Sequence, residues 1–526
     1  MKRRKFLQSI PMAVLPAMFG SYGIKAFGAN SMLGALAADF TETDHVLVLV
    51  QLNGGNDGLN TVIPLDQYSA LSAARANILI PENKVLKLNG VTATGFHPAM
   101  TGMKTLFDEG KLKVIQGVSY PNPNFSHFRA TDIWLTGANS NQNLTSGWAG
   151  RYLAEEYPNY PVGFPNTTMP DPLAVQIGSV LSQGLQGLGG YNMSLAVSDI
   201  TNFYTMIDGT TDPAPNSFAG KELTYIREVA KQTKQYTQVI QSAATAGSNS
   251  ATYPTGNRLA DQLKIVAKLI SGGLKTRIYM VNIGGFDTHS NQIDQLDVTQ
   301  GTHANLWAQV SDAIKVFQDD LAALQLQDRV TGMTFSEFGR RIKSNSSAGT
   351  DHGQAAPMFV FGAKVQGGFL GVNPTIPANA DVNSNVPMQY DFRSVYASLL
   401  KDWFCVPQAD LDTIMLQNFQ TLPIVNADCS ITANSELNKK AGEIILSASP
   451  NPFTEQTTIN FDSHGGHTLV HVFNEEGREI KTLINSDLQA GSYSVDCNLG
   501  FLPAGTYYCR IQNGMLQQVK AIIKVR

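Results

Sequence analysis

The chain is short of cysteine, of charge and of long apolar runs, and each shortage removes a class of function. Its four cysteines, Cys405, Cys429, Cys497 and Cys509, show no C-x-x-C spacing, which sets aside the cysteine-rich zinc modules. Only 15% of its 526 residues are charged, the net charge is -4, and Lys and Arg cluster nowhere beyond the first five residues. Nucleic acid, which needs a basic face, is therefore not an expected partner. No stretch after the N-terminal region is long and apolar enough to cross a bilayer, so no transmembrane segment is expected. In an oxidising compartment the cysteines fit a Cys405–Cys429 and a Cys497–Cys509 bridge, with buried free thiols as the alternative.

What is present is 43% hydrophobic content, enough for large cores and two or three domains. The start, Met1-Lys2-Arg3-Arg4-Lys5-Phe6-Leu7, is basic and twin-arginine-like. An apolar run from Ile10 to Phe19 follows, broken by Pro11 and Pro16, then small residues such as Ala35-Leu36-Ala37. Residues 1–37 are expected to be a signal peptide read by an export translocon. Lys2 stands where a twin-arginine signal has Ser or Thr, so the general secretory route stays open.

Next comes Val46-Leu47-Val48-Leu49-Val50-Gln51-Leu52, a continuous run suited to a strand covered on both faces. Helices are expected over Pro98–Glu109 and Leu306–Leu324, and strands over Leu112–Val118, Arg277–Ile283, Val330–Phe335 and Met358–Phe361. This alternation points to a doubly wound, mainly parallel α/β sheet over about residues 40–425. Residues 192–261 are polar and read as an insertion with a helix over Gly220–Ala244. Residues 426–445 read as a linker.

In such sheets ligands bind beyond the carboxyl ends of the strands. The first strand runs into Asn53-Gly54-Gly55-Asn56-Asp57-Gly58, and the second leads to Ser126-His127-Phe128-Arg129. Later ends give Gly284-Gly285-Phe286-Asp287-Thr288-His289, Ser336-Glu337-Phe338-Gly339-Arg340 and Gly349-Thr350-Asp351-His352-Gly353. Carboxylates and imidazoles thus gather at one edge, the mixed donor set of a divalent cation site. Each motif alone also has a plain reading: a tight turn, a helix cap, a hydrogen-bonded pair or a surface ion pair. Zinc, manganese, magnesium and calcium are not distinguished at this stage.

These five ordered motifs, N-G-G-N-D-G-L-N, S-H-F-x-A-x-D-x-W, G-G-F-D-T-H, S-E-F-G-R and G-T-D-H-G, resemble the domain of unknown function family 1501, exported proteins of the alkaline phosphatase-like superfamily. The resemblance implies an alkaline phosphatase-like sheet, a two-metal site and hydrolysis of phosphate or sulfate esters. It makes Asp57 the first-strand ligand and Ser126 the nucleophile. Asp287 and His289 serve one metal, with Asp351 and His352 at the other. His127 is implied as a general acid or further ligand, Glu337 as part of the metal set, and Arg129 or Arg340 as the anion clamp. Glu337-Phe338 stands where the superfamily has an Asp-His pair, so one imidazole is missing there. A non-catalytic surface or polysaccharide-binding protein is the alternative, and an exported protein with one structural metal a third.

The last eighty residues carry Ser449-Pro450-Asn451-Pro452-Phe453, Glu476-Gly477-Arg478 and Ala504-Gly505-Thr506-Tyr507-Tyr508 among short alternating apolar runs. That is the pattern of a small C-terminal β-sandwich over residues 446–526. It resembles the sorting domain of type IX secretion cargo, which implies that machinery as partner and an extracellular or outer-surface destination.

Overall fold

Val46–Asn53 (β1) is buried along nearly its whole length because it lies mid-sheet with helices on both sides. The computed structural model describes residues 43–198 apart from 159, 162, 168 and 189–190, then 235–426 and Cys429, and 446–525 apart from 452, 475–477 and 514–515. The expected signal (1–37), nearly all of the linker and residues 220–234 of the expected Gly220–Ala244 helix lie outside the described residues; 235–246 are helical. The chain divides into two units, the larger built from Thr43–Glu155 and Asn159–Asp428, the smaller containing Cys429–Arg526.

The larger unit is a nine-stranded mixed sheet. Its strands are β1, Leu112–Ser119 (β2), Ala174–Ile177 (β3), Ser194–Val197 (β4), Ile278–Gly284 (β5) and Val330–Phe335 (β6). A side hairpin of Gly339–Ser344 (β7) and Thr350–Gly353 (β8) precedes Ala356–Phe361 (β9), Gly368–Leu370 (β10) and Tyr390–Asp391 (β11). The order across the sheet is β10-β2-β9-β6-β1-β5-β3-β4, with β11 also beside β2. Only β9 runs antiparallel, to both β2 and β6. The sheet is therefore doubly wound and mainly parallel, with one reversed strand that the apolar run Met358–Phe361 does not reveal.

Alternation along β1 divides its side chains between two cores. Val46, Val48, Val50 and Leu52 share one cluster with Met103 and Leu106 of Thr101–Asp108 (α1), Leu263 and Val266 of Arg258–Ser271 (α3), and Trp307 and Val310 of Thr302–Ala323 (α4). Trp307 sits edge-on against Phe359 at 5.3 Å. Trp134 of His127–Thr136 (α2) instead stacks on Phe335 at 6.3 Å and on Phe392, first residue of Phe392–Ser398 (α5), at 4.4 Å. Each aromatic stack removes large apolar area from water, and the two layers together hold the strand ends in register.

The smaller unit is one antiparallel five-stranded sheet, curled around a shared core, in which expected short strands are joined into longer ones. The runs Thr458–Phe461 and Val470–Phe473 belong to a single strand, Gln456–Phe473 (β13), paired throughout with Glu479–Asn498 (β14). Its other side pairs first with Leu446–Ser449 (β12) and then with Gly505–Asn513 (β15), which holds Leu516–Lys524 (β16). Gly465 and Gly466, at φ +94° and +86°, allow β13 to change partners between these halves. Phe461, Val470, Cys497, Cys509 and Ile511 pack in the core so formed. Cys405 of the larger unit is disulfide-bonded, whereas Cys497 and Cys509 are free thiols, pushed by burial up to about 11 and about 12. The expected second bridge is thus replaced by its alternative.

Two histidines in the larger unit are buried without charge compensation. His97 and His303 are each 1% exposed, with rings 5.6 Å apart. Burial, reinforced by His303, drops His97 to about 3; burial outweighs the nearby Asp57 and lowers His303 to about 4. Their folded values lie below the unfolded value, so between about pH 6.5 and pH 4 the unfolded chain binds protons that the native state refuses. Stability of this unit should rise with pH across that window. We expect the melting temperature to fall by on the order of 5 °C from pH 7 to pH 5, and the double variant His97→Leu/His303→Leu to have a flatter profile in a calorimetric pH series. An equally steep profile in the variant would refute the assignment.

Candidate metal centre

The glycine-rich turn after β1 exists to let backbones meet. Gly54 has φ +124°, and a Cβ there would stand 2.2 Å from the Asp287 nitrogen. Only glycine satisfies both the conformation and the contact. The Gly54 N–H donates to Glu337 Oε1 at 2.8 Å, joining the ends of β1 and β6. Arg340, at the start of β7 and 1% exposed, donates to the carbonyls of Gly54, Gly55, Phe286 and Thr350 and to Asp287 Oδ1 at 2.7 Å.

Around Asp287 three imidazoles converge. His289 Nε2 is 3.3 Å and His352 Nε2 3.2 Å from Asp287 Oδ1, while His127 Nε2 is 3.4 Å from Oδ2. His289 Nε2 and His352 Nε2 are 2.9 Å apart. Each ring has its other nitrogen against an acceptor: His127 Nδ1 on Glu337 Oε1 at 2.9 Å, His289 Nδ1 on Asp351 Oδ1 at 3.0 Å, and His352 Nδ1 on the Phe125 carbonyl at 2.8 Å. Carboxylates and carbonyls only accept, so every Nδ1 carries the proton and every neutral ring turns a bare Nε2 lone pair towards Asp287. Acceptors that face one another at hydrogen-bond distance repel unless a cation joins them.

The spacing suits a metal. Donors at 2.0–2.1 Å from a tetrahedral ion stand about 3.3 Å from each other, and the four contacts above run from 2.9 to 3.4 Å. His127, Asp287 and His352 each offer a ligand atom within 4.8 Å of the others, with His289 alongside. Imidazoles whose second nitrogen is held by a carboxylate or carbonyl form the outer arrangement typical of metal-binding histidines. Burial raises Asp287, but the hydrogen bond and the charge of Arg340 prevail and hold it at about 2, ionised and able to ligate.

The other expected residues have different surroundings. Asp57 is 1% exposed and bound at both oxygens by Arg75 Nη1, at 2.9 and 2.8 Å, with Gln292 on Oδ2; this carboxylate faces a guanidinium instead of the imidazoles. Asp351 and Glu337 back His289 and His127 rather than join the inner set. Arg129 is tied to Asp132 and to the carbonyls of Ser140 and Gln142. Arg340, its guanidinium bound to five acceptors, positions Asp287 and offers no open fork to an anion. Ser126 is exposed at the N-terminus of α2, and its hydroxyl makes no capping bond. Phe338 packs against the imidazoles, its ring 5.0 Å from His127 and 4.3 Å from His352. Gln292, Arg75 and Asn345, which donates to the His289 carbonyl, stand outside every motif singled out in the sequence.

Residues 209–404 match the family described as protein of unknown function (DUF1501), and residues 447–525 match the secretion system C-terminal sorting domain. The chain joins a DUF1501 region to a sorting tail. The DUF1501 region holds Asp287, His289, Glu337, Arg340, Asp351 and His352, while Asp57 and His127 precede it. The tail marks the protein for export to the cell surface or beyond. Similar solved structures include the PsFucS1 sulfatase from Pseudoalteromonas sp., 10% identical over 89% of this chain and 86% of that one, with a TM-score of 0.31. A protein in the alkaline phosphatase superfamily from Vibrio parahaemolyticus is 9% identical over 80% and 78%, with a TM-score of 0.30. The alkaline phosphatase from the Antarctic bacterium TAB5 is 11% identical over 61% and 92%, with a TM-score of 0.24. At these levels the likeness assigns no residue and no reaction. No curated protein matches the chain.

The inner and outer roles differ in a measurable way. Asp287→Ala should abolish zinc binding in equilibrium dialysis, whereas Asp351→Ala should weaken it by roughly tenfold to a hundredfold, the usual cost of losing a residue that orients a ligand. Equal, complete loss in both variants would return Asp351 to the inner set.

Proposed function

We propose that the protein is an exported, metal-dependent hydrolase of phosphate or sulfate esters with one cation at His127, Asp287, His289 and His352. The observation that carries this reading is the set of three imidazole lone pairs turned on one carboxylate, each ring fixed from behind. Three nitrogens and an oxygen favour zinc, manganese or iron over magnesium or calcium. When bound, such an ion supplies Lewis acidity that polarises an ester oxygen and acidifies a nearby hydroxyl.

The chain's own groups supply the rest. Ser126 adjoins His127 in sequence and has its N–H fixed by Asn124 Oδ1 at 2.8 Å, leaving the hydroxyl free to attack. Asp287 is kept ionised by Arg340, and Glu337 keeps the His127 proton on Nδ1. With Asp57 engaged by Arg75 and Asp351 by His289, the arrangement supports one cation rather than two. The tail supports the type IX route, with the extracellular space or outer surface as destination.

One observation favours the alternative of a surface or glycan-binding protein: Arg129 and Arg340 spend their donors within the protein, so neither is free to clamp an anion. Metal analysis of protein purified without a metal column, followed by a screen of aryl phosphates and sulfates, separates the two. We expect about one transition-metal ion per chain, ester cleavage, and a loss of about a thousandfold in Ser126→Ala at unchanged metal content. Full metal occupancy without cleavage of any ester would give the site to the binding reading.

A further inference from the structure

A buried polar network lies behind the ligand-bearing loops, and its centre is Gln292, 0% exposed. Its Nε2 donates to Asp57 Oδ2 at 2.6 Å. Its Oε1 accepts from Thr288 Oγ1 at 3.0 Å and from Thr350 Oγ1 at 2.8 Å. Thr288 stands between Asp287 and His289, and Thr350 stands two residues before His352. The Gln292 backbone N–H donates to the Ala348 carbonyl at 3.0 Å, and its carbonyl accepts from His303 N at 3.0 Å. Asp57 is held in turn by Arg75, whose remaining donors reach the carbonyls of Arg341 at 2.7 Å and Ile342 at 2.9 Å, beside Arg340.

The chemistry at this centre admits little substitution. One end of the group must donate to an ionised carboxylate while the other accepts two hydroxyls, which an amide does and neither a carboxylate nor an apolar side chain can. Glutamate would set two carboxylates against each other. Leucine would remove one of the two donors on Asp57 Oδ2 and leave two buried hydroxyls without their acceptor. The same amide spans two chain segments distant in sequence, one bearing His289 and the other His352.

We propose that Gln292, anchored on Asp57, is the positioning residue that sets the gap between the Asp287–His289 and Thr350–His352 segments, and so the affinity and geometry of the metal centre. The inference rests on the one-cation reading given above. It turns Asp57 from a ligand into the fixed end of a brace.

The test uses the full-length protein loaded with cobalt(II), whose visible bands report ligand geometry without any assay of activity. Gln292→Leu and Gln292→Glu should bind cobalt roughly tenfold to a hundredfold more weakly than wild type, with altered band intensities, at temperatures well below melting. The comparison is Asp320→Asn, another buried residue of the same unit, whose carboxylate accepts from Asn249, Ser250, Ala251 and Tyr253. That variant should lose stability and keep the cobalt affinity and spectrum. Gln292 variants that melt earlier yet bind cobalt as wild type does would overturn the proposal. Should they fail to fold, Thr350→Val serves instead: a severalfold weaker, spectrally altered site supports the brace, and an unchanged site refutes it. A wild-type protein without a cobalt band sinks the metal reading and this inference with it, whereas a normal band in the variants sinks the inference alone.

Discussion

The site depends first on how closely two backbones approach. At Gly54 a side chain of even one carbon would overlap the Asp287 peptide, at 2.2 Å from its nitrogen and 2.6 Å from the Phe286 carbonyl carbon. That contact lets the Gly54 N–H reach Glu337 and the Gly54 and Gly55 carbonyls reach Arg340. A second approach of the same kind fastens the β7–β8 hairpin: a Cβ on Gly349 would stand 2.4 Å from the His289 carbonyl carbon. Hydrogen bonds alone tolerate tenths of an ångström. Backbone packed on backbone does not, and so it limits how closely the ligand loops can approach, within which their side chains set the spacing.

Electrostatics then decides what the fixed loops can hold. Asp287, Glu337 and Asp351 face a single guanidinium, that of Arg340, which lies beneath them and 1% exposed. Burial favours the neutral form of Asp351, but hydrogen bonds from Asn345 and His289 outweigh it and lower its value. With neutral rings the cluster has an excess of negative charge and an array of lone pairs. Both are relieved by one small divalent cation, and a second guanidinium has no room among rings packed 4.3 to 5.0 Å apart. The same surplus explains why Arg340 cannot also serve a substrate anion.

Much of this was legible in the residues. The run Val46–Leu52 has too little alternation for a half-exposed strand, and it lies mid-sheet between β5 and β6. Strand ends announced themselves by glycine beside carboxylate and imidazole, which is why four separated motifs fall at one edge. The direction of β9 was not legible, because four apolar residues look the same read either way. Nor was the division between inner and outer residues. Asp351 and His352 are neighbours in a strand, so they point to opposite sides, and the sequence cannot say which side faces Asp287. Gln292 and Arg75 were silent for another reason. Glutamine and arginine are common on surfaces, and only burial gives these two a role.

The surroundings of the cluster have a steric side as well as an electrostatic one. Phe338 fills the space beside the turn: a Cβ on Gly55 would be 2.4 Å from its ring. It also packs against the rings of His127 and His352, an apolar wall on that side of the cluster. Asp57 is buried against Arg75, and a carboxylate whose two oxygens are already paired with a buried guanidinium gains little from a cation. Behind the three imidazoles and Asp287, the Asp57 carboxylate is thus committed to Arg75 and Gln292.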